Sequence, residues 1–265
     1  MLATIKQSKL TLLLVIFYLI LLLWWLKIFF SGQKTDDENY IFGLAYGFMA
    51  LIGGVNGLLV SRIWGGFHSL IGRGVSFLSI GLLCYFFGQT TWSFYNLILR
   101  VEVPYPSLAD FGYFSVIPVY TYAAYCFARA SGAKNNFNKL KGKIIALIIP
   151  LVMLSTTYFF FLHDMEINFS DPIKTFLDFG TPLGYSVVIS MTLIAYFLSK
   201  NMLGGAMKSR ILIVIGALIF QNITDNTFLY QYSTGSYYNA GINDLMFATA
   251  FALMSISLIS FRTYE

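Results

Sequence analysis

The sequence predicts an all-α, polytopic integral membrane bundle of about eight transmembrane helices, with both termini in the cytoplasm. The first observation behind this is compositional: 57% of the 265 residues are hydrophobic and 11% are charged, with a mean hydropathy of +0.70. A soluble domain is typically about 25% charged, so this chain lacks the polar surface to cover a globule in water. The second is that apolar runs long enough to cross a ~30 Å hydrocarbon core, about 20 residues each, recur eight times. They cover residues 9–30, 40–64, 74–99, 109–130, 144–162, 175–198, 211–230 and 241–261. The third is that the connections between them are short, so residues 1–265 read as a single transmembrane domain.

The first run follows Lys6 and Lys9 and superficially resembles a signal peptide. Its apolar stretch is too long, it ends in LWWLKIFF, and no small-residue cleavage site follows, so an uncleaved span is expected. Trp24 and Trp25 then sit near an interface. The second run, GLAYGFMALIGG, carries Gly43, Gly47, Gly53, Gly54 and Gly57, a composition suited to close helix packing. In the third, Gln89, Trp92, Ser93 and Asn96 fall on one face at i, i+3, i+4 and i+7. The fourth follows VEVPYPSLADFGYF, which puts Asp110 in the first turn and Tyr113 one turn on. The sixth opens as DPIKTFLDFGTPLGY, with Asp178, Pro182 and Tyr185 at i, i+4 and i+7. The seventh ends in FQNITDNTFLY, pairing Gln221 with Asp225 and Asn222 with Asn226 at i, i+4. The eighth opens as AGINDLMF, with Asn243 and Asp244 in its first turn. Pro118, Pro150 and Pro182 lie inside spans and are expected to bend them locally.

Orientation follows from Lys and Arg, which accumulate in cytoplasmic loops. With the N-terminus inside, 13 of the 17 basic residues are cytoplasmic, and only Lys27, Lys34, Arg100 and Lys174 fall outside. The net charge of +5 is thereby accounted for by topology and contact with anionic membrane lipid, so no nucleic-acid partner is expected. Cys84 and Cys126 lie within spans and are expected to be unpaired.

The same orientation puts 11 of the 12 acidic residues on the outer side or in the outer half of a span. Asp36, Asp37, Glu38, Glu102, Asp164, Glu166 and Asp171 read as solvated. Asp110, Asp178, Asp225 and Asp244 lie inside apolar segments, where an ionisable group is costly and by default marks a site. At ~1.5 Å per residue, these carboxylates and Gln89, Trp92, Asn96, Tyr113 and Gln221 fall within roughly 10–15 Å of the outer surface. Five spans thus bring polar and aromatic groups to one depth, predicting a polar, aromatic-walled cavity open to the outer leaflet. The predicted ligand-binding set is Gln89, Trp92, Asn96, Asp110, Tyr113, Asp178, Gln221, Asp225 and Asp244.

Plainer roles stand beside this one. Asp110, behind Ser107, and Asp244 are placed to cap helix N-termini, and Asn and Gln can glue membrane helices together. Asp225 is different, because it lies more than a turn inside the C-terminal end of its span, where the helix dipole disfavours negative charge. It requires a cation, a proton or a strong donor. Several chemistries are disfavoured. A retinal Schiff base needs a lysine deep in a span, and haem or a histidine metal site needs intramembrane ligands. The lysines lie in loops or near span ends, and the two histidines, His68 and His163, lie in or beside loops. No Walker loop, GxSxG or HExxH occurs. No metal, cofactor or catalytic residue is therefore assigned.

PYPSLADFGYF carries a further signal. Gly88 and Trp92, then Pro104, Pro106, Ser107, Ala109, Asp110 and Tyr113, then TPLGY around Pro182 and Gly184, and finally Asp225 and Asp244 follow a pattern. It is similar to that of multi-span membrane regions at the N-terminus of bacterial signalling proteins, including GGDEF/EAL-type cyclic-di-GMP enzymes and some sensor kinases. The sequence departs from that pattern at Tyr185, which stands where a YPLGD-like motif has aspartate, and it ends at FRTYE with no cytoplasmic enzyme. The resemblance implies a sensing module alone, acting through a cytoplasmic signalling protein or separated from a longer chain, in a prokaryotic cytoplasmic membrane. The leading expectation is a membrane-embedded sensory or ligand-binding module for a small-molecule or lipid-like ligand. The alternatives are a proton- or cation-coupled transporter using Asp225 and Asp178, and an intramembrane lipid-modifying enzyme.

Overall fold

The structure, a computed structural model, describes residues 9–163, 165, 167, 169–199 and 205–262. Lys6, Asp164, Glu166 and Lys200, which entered the orientation argument, lie outside the described residues.

Among the described residues there are eight long helices, most of them packed against their neighbours in sequence. They are α1 (Lys9–Ser31), α2 (Asp37–Ile63), α3 (Leu70–Phe94), α4 (Leu108–Ala130), α6 (Leu140–Thr157), α7 (Pro172–Ser199), α8 (Gly205–Ser233) and α9 (Ile242–Ile259), with a five-residue α5 (Ala133–Phe137) after α4. No strand occurs among the described residues. Most helices start before the predicted runs, as α2 does at Asp37 and α8 at Gly205. Hydropathy marks only the stretch that hydrocarbon would require, whereas a helix propagates into its polar flanks. Pro118, Pro150 and Pro182 are carried inside continuous helices. Two ends were not foreseen: α3 and α6 finish in π-helical turns, Tyr95–Leu99 and Tyr158–Leu162.

Packing closes a ring. Helix α2 lies on α3, α3 on α4, α4 on α7, α7 on α8, α8 on α9, and α9 returns to α2. Outside the ring, α1 lies against α9 and α2, and α6 against α7. Burial follows this order: 67% of the most apolar stretch of α9 is buried, against 22% for α1 and 6% for α6. Leu147, Leu151, Leu154 and Phe159 are among the side chains α6 exposes. Such a face is stable only in an apolar solvent.

Seven helices among the described residues are long and apolar enough to cross a membrane, which points to an integral membrane protein. The exception among the eight is α4. It carries Tyr113, Tyr120, Tyr122 and Tyr125 together with Asp110 and Arg129, which lower its hydropathy. It can carry them because it is enclosed by α3 and α7, and its Tyr120, Ala123, Ala124 and Phe127 are buried.

Close approach shapes the ring. A methyl group added at Gly57 would lie 2.8 Å from Leu258 of α9 and also strike Ser79 of α3, so α2 wedges between two helices through that glycine. The end carrying the α1–α2, α3–α4, α6–α7 and α8–α9 connections is stapled by polar contacts. Arg100 forms a two-armed ion pair with Asp37, and Glu38 accepts from Lys27 at 2.6 Å and Trp24 at 2.7 Å. Asp37 and Glu38 are therefore bound rather than simply solvated, since the α1–α2 turn places them beside cations from two other segments. At the opposite end, the Trp64 indole donates to the Phe261 carbonyl at 2.7 Å, tying α2 to the end of α9.

Candidate functional site

The construction of the site begins at the N-terminus of α4. Ser107, in extended conformation, accepts from the Ala109 amide at 3.2 Å, and Asp110 Oδ2 accepts from the Ser107 amide at 2.6 Å and hydroxyl at 2.9 Å. This is a capping box in which aspartate replaces the usual Glu or Gln. It settles the helix start at Leu108 and holds Asp110 in one pose. Ser107→Ala should cost about 1 kcal/mol, measured as a lowered melting temperature of the purified protein.

Inside the ring, next to this cap, lies a cavity of about 750 Å³. All six ring helices contribute: Tyr46 from α2; Tyr85, Gln89 and Trp92 from α3; Asp110 and Tyr113 from α4; Asp178, Pro182 and Tyr185 from α7; Asp225, Phe228 and Tyr232 from α8; Phe247 from α9. Pro104, Tyr105, Tyr237 and the turn after α6, with Phe160, Phe161 and His163, complete the wall. A smaller recess of about 530 Å³ between α4 and α7 is lined by Ile117, Val187, Met191 and neighbours and carries no carboxylate.

Asp225 is 3% exposed and accepts from the Tyr85 hydroxyl at 2.8 and 2.7 Å on its two oxygens, and from Gln221 Nε2 at 3.0 Å. The strong donor that its position demands is thus supplied by neutral groups, Tyr85 across the ring and Gln221 one turn back. Tyr185 approaches the same Tyr85 hydroxyl, so the residue in the aspartate position of the YPLGD-like pattern still belongs to this cluster. Tyr113 donates to Gln89 Oε1 at 3.0 Å, joining α4 to α3. At the α3–α4 connection, the Tyr105 hydroxyl donates to Asp178 at 2.6 Å. Burial, reinforced by that carboxylate, pushes the Tyr105 phenol well above its ordinary range, so it remains a donor.

Six of the nine predicted residues line the cavity: Gln89, Trp92, Asp110, Tyr113, Asp178 and Asp225. Three do not. Gln221 lies behind Asp225 and positions it. Asp244, fully buried, accepts from the Ala240 amide at 2.7 Å, Tyr237 at 3.0 Å and Tyr46 at 3.4 Å, so it braces the α8–α9 loop behind the wall. Asn96 falls in the π-helical turn, where the wider spacing breaks the α-helical register counted from Gln89. Asn222 and Asn226 meet through the main chain only: Asn226 Nδ2 donates to the Asn222 carbonyl at 2.8 Å, and Asn222 Nδ2 to that of Leu218 at 2.9 Å.

Most of the wall was not foreseen. Tyr46, Tyr85, Tyr237 and Phe247 stand outside the set read from polar spacing, and Tyr46 adds a sixth helix to the five expected. A tyrosine in the middle of a membrane span was the available signal, because its hydroxyl needs a partner when buried. His163, beside a loop in the sequence, is brought to the cavity rim by the π-helical end of α6.

Fold and site together define an α-helical protein of membrane-spanning character, with a polar, aromatic cavity at one end of its helix ring. No protein-family model, curated protein or solved structure matches the chain.

Proposed function

We propose that the chain is an eight-span sensory module of a prokaryotic cytoplasmic membrane, with both termini cytoplasmic. It binds a small-molecule or lipid-like ligand in the cavity from the outer-leaflet side and passes the bound state to a separate cytoplasmic signalling protein. The observation that carries this reading is the cavity itself: carboxylates, an amide and many aromatic rings from all six ring helices converge there. Its position supports the orientation, because Arg62, Arg73, Arg129, Lys134 and Lys139 gather at the opposite helix ends. The similarity of PYPSLADFGYF to the membrane regions of bacterial signalling proteins points the same way. Helix α9 supplies a connection, since Phe247 faces the ligand space and Phe261, at the far end, is held by Trp64.

One-sidedness favours sensing over transport. Toward the basic end, Leu78, Leu82, Tyr120, Leu218, Phe251 and Met254 are at most 1% exposed, so packed side chains fill the ring where a through-path would run. A thermal-shift screen of the purified protein tests the proposal. A ligand at a hundred times its Kd should raise the wild-type melting temperature by about 5–10 °C, and Asp225→Asn should lose most of that gain. If no compound stabilises the wild type more than the variant, the binding reading loses its support. Proton-dependent flux in proteoliposomes that Asp225→Asn abolishes would assign the chain to the transporters.

A further inference from the structure

The proposal rests on the cavity being a ligand site, and concerns the chemical class of the ligand. We infer that the cavity takes an organic cation, an amine or quaternary ammonium group carrying apolar substituents.

Charge comes first. Among the described residues, five lining side chains other than tyrosines are titratable: Asp110, Asp178 and Asp225 on one side of the balance, Lys174 and His163 on the other. Lys174 is exposed, at the start of α7, and His163 is at the rim, whereas Asp225 is deeply buried. None of the three carboxylates makes an ion pair among the described residues. Tyr85 and Gln221, the groups that hold Asp225, are neutral donors. A buried carboxylate with hydrogen bonds but no counter-charge attracts a cation strongly, because little solvent intervenes.

The wall selects which kind of cation. On α8, Asp225, Phe228 and Tyr232 follow at i, i+3 and i+7, so the carboxylate lies at the foot of an aromatic face. The Phe228 ring is 5.0 Å from that of Tyr237, 5.7 Å from Tyr232, 6.1 Å from Phe247 and 6.3 Å from Trp92, and all of these line the cavity. Tyr85 extends the set, its ring 6.3 Å from that of Phe247. Aromatic faces attract cations through the ring quadrupole, and a cage of them suits a large, weakly hydrated ammonium group. A small inorganic ion fits poorly. No group of three His, Cys, Asp or Glu side chains able to hold a metal occurs among the described residues, and about 750 Å³ is the size of a drug-like ligand site.

The test uses three probes of one shape: phenyltrimethylammonium, its uncharged isostere tert-butylbenzene, and the anion benzenesulfonate. Each is titrated calorimetrically into the purified full chain in a single detergent. The cation should bind at least about tenfold tighter than the neutral probe. Asp225→Asn should erase most of that preference, and Phe228→Leu should weaken the cation about threefold or more while sparing the neutral probe. Should Asp225→Asn fail to fold, Phe228→Leu decides. Thr181→Trp fills the cavity and should abolish all binding. Neutral or anionic probes that match the cation, and that Thr181→Trp excludes, would overturn the cation assignment and leave the cavity reading standing. Cation binding that Thr181→Trp does not disturb overturns the assignment too, because the cation then sits elsewhere. If none of the three binds, both readings fall.

Discussion

Gly112→Leu is expected to be among the most damaging single substitutions in this chain, lowering the melting temperature by about 6–12 °C or preventing recovery of folded protein. Helices α3 and α4 touch backbone to backbone at this point. A methyl group on Gly112 would sit 2.7 Å from the Gly88 nitrogen and 2.9 Å from its Cα. A main chain inside a packed ring cannot yield as a side chain can, so α3 and α4 must separate, at a cost of about 3 kcal/mol or more. The separation also pulls Tyr113 from Gln89, and with it one wall of the cavity. Gly180→Ala is the matched control. Its nearest neighbour would be the Phe114 ring at 3.2 Å, a side chain that can shift, so its melting temperature should stay near that of the wild type. Thermal melts of both variants in one detergent decide the matter. A Gly112→Leu protein melting within about 2 °C of the wild type would show that the helices do not meet there.

That contact also marks where the sequence stops being legible. The long helices could be located from apolar runs, because a segment in hydrocarbon must satisfy its backbone within a helix. The start of α4 could be placed at Ser107 and Asp110 because capping is local chemistry between residues three apart. That Gln89, Trp92, Asp110, Tyr113, Asp178 and Asp225 fall at one end of the helix ring followed from helix rise alone. The direction each faces did not. Gln221 and Asp244 lie at the same end but behind the wall, since a single helix does not reveal which neighbour it will meet. Asn96 was lost to a π turn that no local pattern announces. Tyr85 was invisible as the partner of Asp225 because the two are 140 residues apart and only the closed ring joins them.

Asp244→Ala is expected to cost about 3 kcal/mol, although the side chain never reaches the cavity. Its oxygens accept from the Ala240 amide, Tyr237 and Tyr46, and the residue is fully buried. Alanine would leave the buried Ala240 amide and Tyr46 hydroxyl without an acceptor and Tyr237 with only the Asn239 side chain at 3.5 Å, and each lost partner carries a desolvation penalty. The Tyr237 phenol cannot escape by ionising, because burial, the larger cause and the one the substitution leaves in place, pushes it well above its ordinary range. Asp244→Asn keeps one carbonyl oxygen and should recover part of the loss. A double-mutant cycle with Tyr237→Phe should show the two changes to be non-additive by about 1 kcal/mol, since both remove the same bond. Fully additive costs would mean that the pair does not interact. The loop that Asp244 anchors also carries Asn239, whose side chain accepts from the Trp92 indole at 3.1 Å and whose backbone carbonyl accepts from Asn39 at 2.9 Å. Releasing the loop therefore frees Trp92, and any ligand of the cavity should bind Asp244→Ala more weakly through a residue it does not touch.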